Sequence, residues 1–283
     1  MLWRHGVRPV FFVGIFAFVL AGCSTIIGQA IDSAARGTGA GIGDAIGQRI
    51  GDAAGASLAA RLPQTWTPDL TMVYVSWVFS VAFHSGSYAV EPKPYEPGEW
   101  TRWRLSEDEG EEGEGTMERA FLGRVDDDAE WWRVRLVNQE EVDGREVVDT
   151  LLLEGLFSSD ASRLIRLRGK FPGEDEPKEL PVQEGTFGYV KPVELAPESI
   201  EGATVGTVRL QVPAGTFQTQ HVRYGGPGGG TLEWWLSDEV PGGVVKYRTT
   251  VAGPDPQAEQ DTDSWTARLD GHGTGARSEL GVM

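Results

Sequence analysis

The chain has 283 residues, with 42 Asp or Glu against 25 Lys or Arg, for a formal net charge of −17. At 40% hydrophobic and 10% aromatic, with 10 Trp, it has the composition of a folded protein and not of an acidic disordered one. The charge argues against nucleic-acid partners and against electrostatic adhesion to anionic lipid, and a single cysteine excludes a disulfide framework or a Cys-rich metal site.

The first 22 residues read as an export signal. Arg4 and Arg8 form a short basic region, and Phe11 to Leu20 an apolar one. The whole stretch from Val10 to Ala21 is only about 12 residues, short of the roughly 20 that span a bilayer. It ends in Leu20-Ala21-Gly22-Cys23, which contains the only cysteine of the chain. This tetrapeptide resembles the lipobox of bacterial lipoproteins. The resemblance implies cleavage between Gly22 and Cys23 and acylation of the Cys23 thiol, with palmitate among the acyl chains. Ser24 in place of Asp implies an outer-membrane destination, facing the periplasm or the surface. An ordinary cleaved signal with an incidental cysteine is the competing reading. Loss of residues 1–22 takes away two arginines and no acid, so the mature charge moves from −17 to −19. Anchoring would then rest on acyl chains, each buried CH₂ contributing ~0.8 kcal/mol.

Residues 23–65 form the next unit, rich in Gly and Ala. Gly39, Gly43, Gly47, Gly51 and Gly55 recur every four residues and would line one stripe of a helix. Such a small-xxx-small stripe permits close helix packing and resembles the glycine zippers of some envelope proteins. Asp44, Gln48, Arg49 and Asp52 argue against an ordinary membrane-spanning helix, and a flexible tether is the alternative.

From residue 66 to 252 a folded domain is expected. Thr67-Pro68-Asp69 has cap chemistry, and Leu70, Val73, Tyr74, Trp77, Val78 and Val81 follow at helical spacing, which predicts a helix from about Asp69 to Phe83. The same stretch also alternates, so a strand competes with it. Beyond residue 98 the period is two. Strands are predicted at 100–105, 119–125, 130–138, 145–153, 164–168, 186–193, 207–212, 217–224, 231–236, 244–251 and, after an acidic linker within 253–283, at 264–269. Local turns favour an antiparallel β-meander. The expected fold class is therefore α+β, a curved sheet or partial barrel with one packed helix, preceded by the Gly-rich segment.

Alternation also sorts the two faces of the sheet. Trp103, Trp132, Val134, Val208, Leu210 and Trp234 share one parity with other apolar residues. Arg102, Arg104, Arg133, Arg135, Arg166, Arg168 and Arg223 take the other, together with Trp100, Trp131 and Trp235. Trp100, Trp131, Trp235, Arg133 and Arg135 are thus the candidate ligand-binding residues, suited to an anionic head group with an apolar tail. Cross-strand pairing with Glu99, Glu130, Glu154 and Glu233, with Arg lying over Trp rings, explains the same pattern without a ligand.

Catalytic signals are weak. His84, His221 and His272 lack metal-ligand spacing, and no Gly-x-Ser-x-Gly elbow is present. The run Gly225 to Gly230 lacks a following Lys-Ser/Thr and reads as a hairpin loop, and the acidic run Glu107 to Glu114 does not follow the calcium-loop pattern. Neither a metal nor a cofactor is expected, nor an enzyme. Val212-Pro213-Ala214-Gly215-Thr216-Phe217, Trp234-Trp235-Leu236-Ser237 and Pro241-Gly242-Gly243-Val244-Val245-Lys246-Tyr247 resemble strings in envelope proteins of the LolA-like type. That resemblance implies a β-meander and transfers no active-site residue. The sequence therefore points to an envelope lipoprotein whose β-rich domain binds lipid or another amphiphile. The alternatives are an interaction protein that self-associates through its Gly-rich helix, and a weakly signalled hydrolase.

Overall fold

The computed structural model describes residues 75, 78–79, 82–83, 88–89, 92–106, 115–142, 145–159, 163–182, 193–225, 231–250 and 264–282. Cys23, Gly22, the glycine ladder from Gly39 to Gly55, His84 and the acidic runs 107–114 and 253–263 lie outside these residues.

The strands are β1 (Tyr88–Ala89), β2 (Trp100–Ser106), β3 (Gly115–Arg124), β4 (Glu130–Val142), β5 (Arg145–Phe157), β6 (Leu164–Lys170), β7 (Lys178–Leu180), β8 (Val193–Glu194), β9 (Thr204–Val212), β10 (Gly215–Gly225), β11 (Thr231–Leu236), β12 (Val244–Thr250) and β13 (Ser264–Gly273). Eleven of them form one antiparallel sheet in the order β7-β6-β5-β4-β3-β2-β13-β12-β11-β10-β9, and β1 pairs with β8 in a separate parallel ladder. The sheet is thus two meanders, β2 to β7 and β9 to β13, joined where the last strand pairs with the first of the large sheet. Leu105↔Ala267, Arg104↔Arg268 and Trp103↔Leu269 set that joint.

The fold is mostly β, which corrects the α+β expectation. Among the described residues the one α-helix seen along its whole length is α1 (Pro197–Gly202), six residues with Pro at its start and none buried. Upstream, Val75, Val78, Phe79 and Ala82 are helical and buried at i, i+3, i+4 and i+7. They contribute to the core without making a layer comparable to the sheet. Phe79 meets Phe157 edge-on at 5.3 Å, above Gly155. A Cβ at Gly155 would stand 3.0 Å from Phe79, Phe157 and Leu164, so the close approach of this turn to β5 requires glycine.

Most strand predictions fall on the observed strands, 231–236 with identical bounds and several others one to four residues short. Within the predicted 186–193 strand only Val193 is described, in β8, whereas β7 lies upstream of it.

Two apolar clusters lie on the same face of the sheet, one under each meander. The first gathers Met117, Phe121, Trp132, Val134, Leu153, Phe157 and Leu167 with the helical residues. The second gathers Trp103, Val222, Leu232, Trp234, Val244, Tyr247 and Leu269. Val208, placed on the apolar side by parity, is exposed, and Leu210 only borders the second cluster. Their strand, β9, is the edge of the sheet and is open to water.

The second meander curls back on itself. The Pro213-Ala214 turn between β9 and β10 reaches across to β13, where the Ala214 N–H donates to the Leu269 carbonyl at 3.1 Å. Bulges between His221 and Val222, Trp235 and Leu236, and Leu269 and Gly271 add the bend this requires.

Candidate functional site

The opposite face of the first meander carries the arginines that alternation had singled out. In the register of β3 through β7, Glu118 faces Arg135, Arg133 faces Glu154, Glu154 faces Arg168, and Arg168 faces Glu179. Cations and carboxylates therefore alternate across neighbouring strands, where directly opposite unlike charges attract. Arg133 donates to Glu118 at 2.8 Å with both groups nearly dry, and Arg166 binds Glu179 at 2.6 Å in water. The Glu179 carboxylate raises the pKa of Arg166 above its ordinary value, through a hydrogen bond first and Coulomb attraction second.

This face is covered by the chain's own C-terminus. After β13, residues 274–282 run back over β3, β4, β5 and β6 as a strap without regular structure. The Ala276 N–H donates to the Gly98 carbonyl at 2.9 Å, which fixes its start. Arg133 donates to the Arg277 carbonyl at 2.6 Å. The Glu154 carboxylate, fully buried, accepts from the Ser278 hydroxyl at 2.7 Å and from the N–H groups of Glu279 and Leu280 at 2.6 and 3.3 Å. Arg168 donates to the Leu280 carbonyl, and the Val282 N–H returns to Ser278 Oγ at 3.0 Å. The Glu279 carboxylate reaches Arg133 at 2.6 Å and Arg135 at 2.5 Å. Leu280 is buried, while Ala276 and Val282 pack against the patch of Ala120, Leu122 and Trp131.

Charge explains why an acid stands at position 279. Arg133, Arg135, Arg166 and Arg168 pair with the Glu118 and Glu179 carboxylates, and a third strand carboxylate, Glu154, stands opposite Arg133 and Arg168 in the register. One positive charge is left over, and Glu279 balances it. The strap is thus read through its main chain by Glu154, Arg133 and Arg168, and through two polar side chains, Ser278 by Glu154 and Glu279 by the Arg133–Arg135 pair.

The five candidate ligand residues do not form one site. Trp131 is buried in the patch under the strap, with Trp100 beside it and Arg166 5.9 Å from its ring centre. Trp100 lies against Gly271 and Gly273 of β13 under Arg102. Arg133 and Arg135 hold the strap. Trp235, on β11, is five strand spacings from β4, roughly 24 Å along the sheet. It is stacked between His221, at 4.5 Å, and Lys246, at 4.4 Å. His221 in turn meets Glu233 at 2.9 Å, and Arg223 binds the other oxygen of that carboxylate at 3.0 Å. Arg102 over Trp100, Arg166 over Trp131 and Arg223 on Glu233 are contacts of the ligand-free kind, whereas Trp235 is flanked by His221 and Lys246, and Arg133 and Arg135 reach the C-terminal segment.

Sequence reasoning missed the strap and the central place of Glu154. A signal for the first was present in Ser278-Glu279-Leu280-Gly281-Val282, an acid between small and apolar residues after the last strand. Glu154 sits in the apolar run Leu151 to Leu156, where a lone acid must find partners if buried. Arg119, read as an ordinary strand residue, is buried within 6 Å of the rings of Phe83, Tyr95, Trp103 and Trp132.

Among the described residues no group of His, Cys, Asp or Glu is arranged to hold a metal ion, and no helix is long and apolar enough to cross a membrane. No family model matches the chain, and no curated protein matches it in sequence.

Proposed function

We propose that the chain is a lipid-anchored protein of the bacterial envelope whose β domain is a non-catalytic binding module. The observation that carries the reading is Leu20-Ala21-Gly22-Cys23 at the end of a short apolar stretch, where a thiol is placed for acylation. The sheet supports the second half of it. Its basic face holds an extended segment across four strands through main-chain groups and the Ser278 and Glu279 side chains, as a recognition surface would.

An amphiphile remains the second reading, favoured by Glu279 with Val282. An anionic group on two arginines followed by apolar groups on Trp131 and Leu122 is the pattern a lipid would present. Intact mass of the membrane-bound protein tests the anchor. The expected mass is that of residues 23–283 plus a diacylglyceryl and a further acyl group, and Cys23→Ser should release the chain from the membrane. An unmodified chain that keeps residues 1–22 would overturn the proposal.

A further inference from the structure

The strap site carries more than a closing contact. Glu154 is fully buried and spends its carboxylate on three donors, all of them supplied by residues 278–280. A buried carboxylate needs donors, and two of these three are main-chain N–H groups. Lipid acyl chains and anionic head groups offer no such row of amides, and an anion brought against Glu154 would be repelled. The groove is therefore matched to a peptide. Arg133 and Arg168 add donors for two peptide carbonyls, and the Arg133–Arg135 pair adds a pocket for one acidic side chain.

We infer that this groove is a peptide-recognition site for the segment Arg-Ser-acid-apolar, and that the same segment of a second copy occupies it in trans. Every copy carries both the groove and residues 276–282, so cis and trans occupancy use identical contacts. Exchange of an identical element is a low-cost route to association. A strap joined to β13 through Thr274 and Gly275 competes at an effective concentration of about millimolar order. Copies crowded on a membrane by an anchor at Cys23 approach that regime, whereas dilute copies close in cis. The inference uses the proposed anchor only for that local concentration; the groove chemistry stands without it.

The test is complementation between two full-length variants in mild detergent. Glu279→Lys leaves the groove intact and makes its own strap repel Arg133 and Arg135. Glu154→Leu leaves the strap intact and removes its acceptor. Native mass spectrometry of each variant alone is expected to show monomer, and of an equimolar mixture to show a one-to-one heterodimer. A synthetic peptide of the sequence Ala276–Met283 should bind Glu279→Lys at least tenfold more tightly than it binds the unaltered chain. A chain ending at Gly275 serves as a second strapless variant, checked for native Trp emission. Absence of both the heterodimer and peptide binding in folded variants would overturn the inference and leave the strap as an internal clamp. Binding of phosphatidylglycerol vesicles to the strapless chain, without peptide binding, would overturn it in favour of an amphiphile site. Intact mass at Cys23 reports the anchoring proposal separately, so the two fail independently.

Discussion

The two meanders of the large sheet solve one problem in different ways. Each buries one apolar face, and each must then deal with an opposite face rich in cations. The β9 to β13 meander uses side chains already in the sheet: His221, Arg223 and Glu233 pair among themselves, and Lys246 and His221 sandwich Trp235. The β2 to β7 meander does not finish the task locally. Its remaining charge and its Trp131 patch are satisfied by residues far along the chain, Glu279 for the charge and Ala276 and Val282 for the patch. The first solution is internal and fixed in register. The second depends on a segment that docks, and a segment that docks can in principle be replaced. This difference places the candidate binding site on one meander and not on the other.

The joint between the meanders is where the comparison breaks most completely. Trp103 lies on β2 but packs into the cluster of the other meander, and its indole N–H donates to the Val244 carbonyl at 3.1 Å. Trp103→Ala should cost about 3–5 kcal/mol, a cavity of that size having little chance to collapse. Denaturant unfolding followed by Trp emission would show a single large drop in midpoint if the halves unfold together. Two separated transitions would show that they do not.

Gly242 probes the same joint from the other side. It sits in the turn before β12 with φ of +72°, and a Cβ there would lie 2.4 Å from Tyr95 and 2.7 Å from Arg119. Gly242→Ala therefore combines a disfavoured backbone with a clash, and a loss of about 1–3 kcal/mol is expected in the same assay. The smallest effect belongs to the docked region. Glu279→Gln removes two ion pairs of a part-exposed carboxylate, one to buried Arg133 and one to Arg135, and a loss of about 1 kcal/mol at low ionic strength should shrink as salt rises. A salt-independent loss would mean that the pairs act through packing.

The same contrast describes what the sequence reveals. Period-two alternation from Trp100 onwards located most strands, because each strand buries one face and the pleat imposes the period. It also placed Arg133, Arg135 and Trp131 on a common side, which the register confirms. Parity cannot show how far apart two residues on a common side lie, so Trp235 was grouped with Trp131 although the closing pair β2–β13 puts five strand spacings between them. The fold class was misjudged because a run with helical spacing at 70–82 was weighed as a layer, when eleven strands supply most of the core. The strap was invisible to periodicity: it has no regular structure, and many of its contacts are made by carbonyl and N–H groups, which every residue carries.

Amide hydrogen exchange at Glu279 and Leu280 tests most directly the claim that the basic face binds the C-terminal segment. In the unaltered chain these two amides should exchange at least a hundredfold more slowly than in an unstructured peptide, because the buried Glu154 carboxylate accepts both. In Glu154→Leu they should exchange freely while the amides of β4 and β5 stay protected. Unprotected amides at 279 and 280 in the unaltered chain, with the sheet itself protected, would contradict the account.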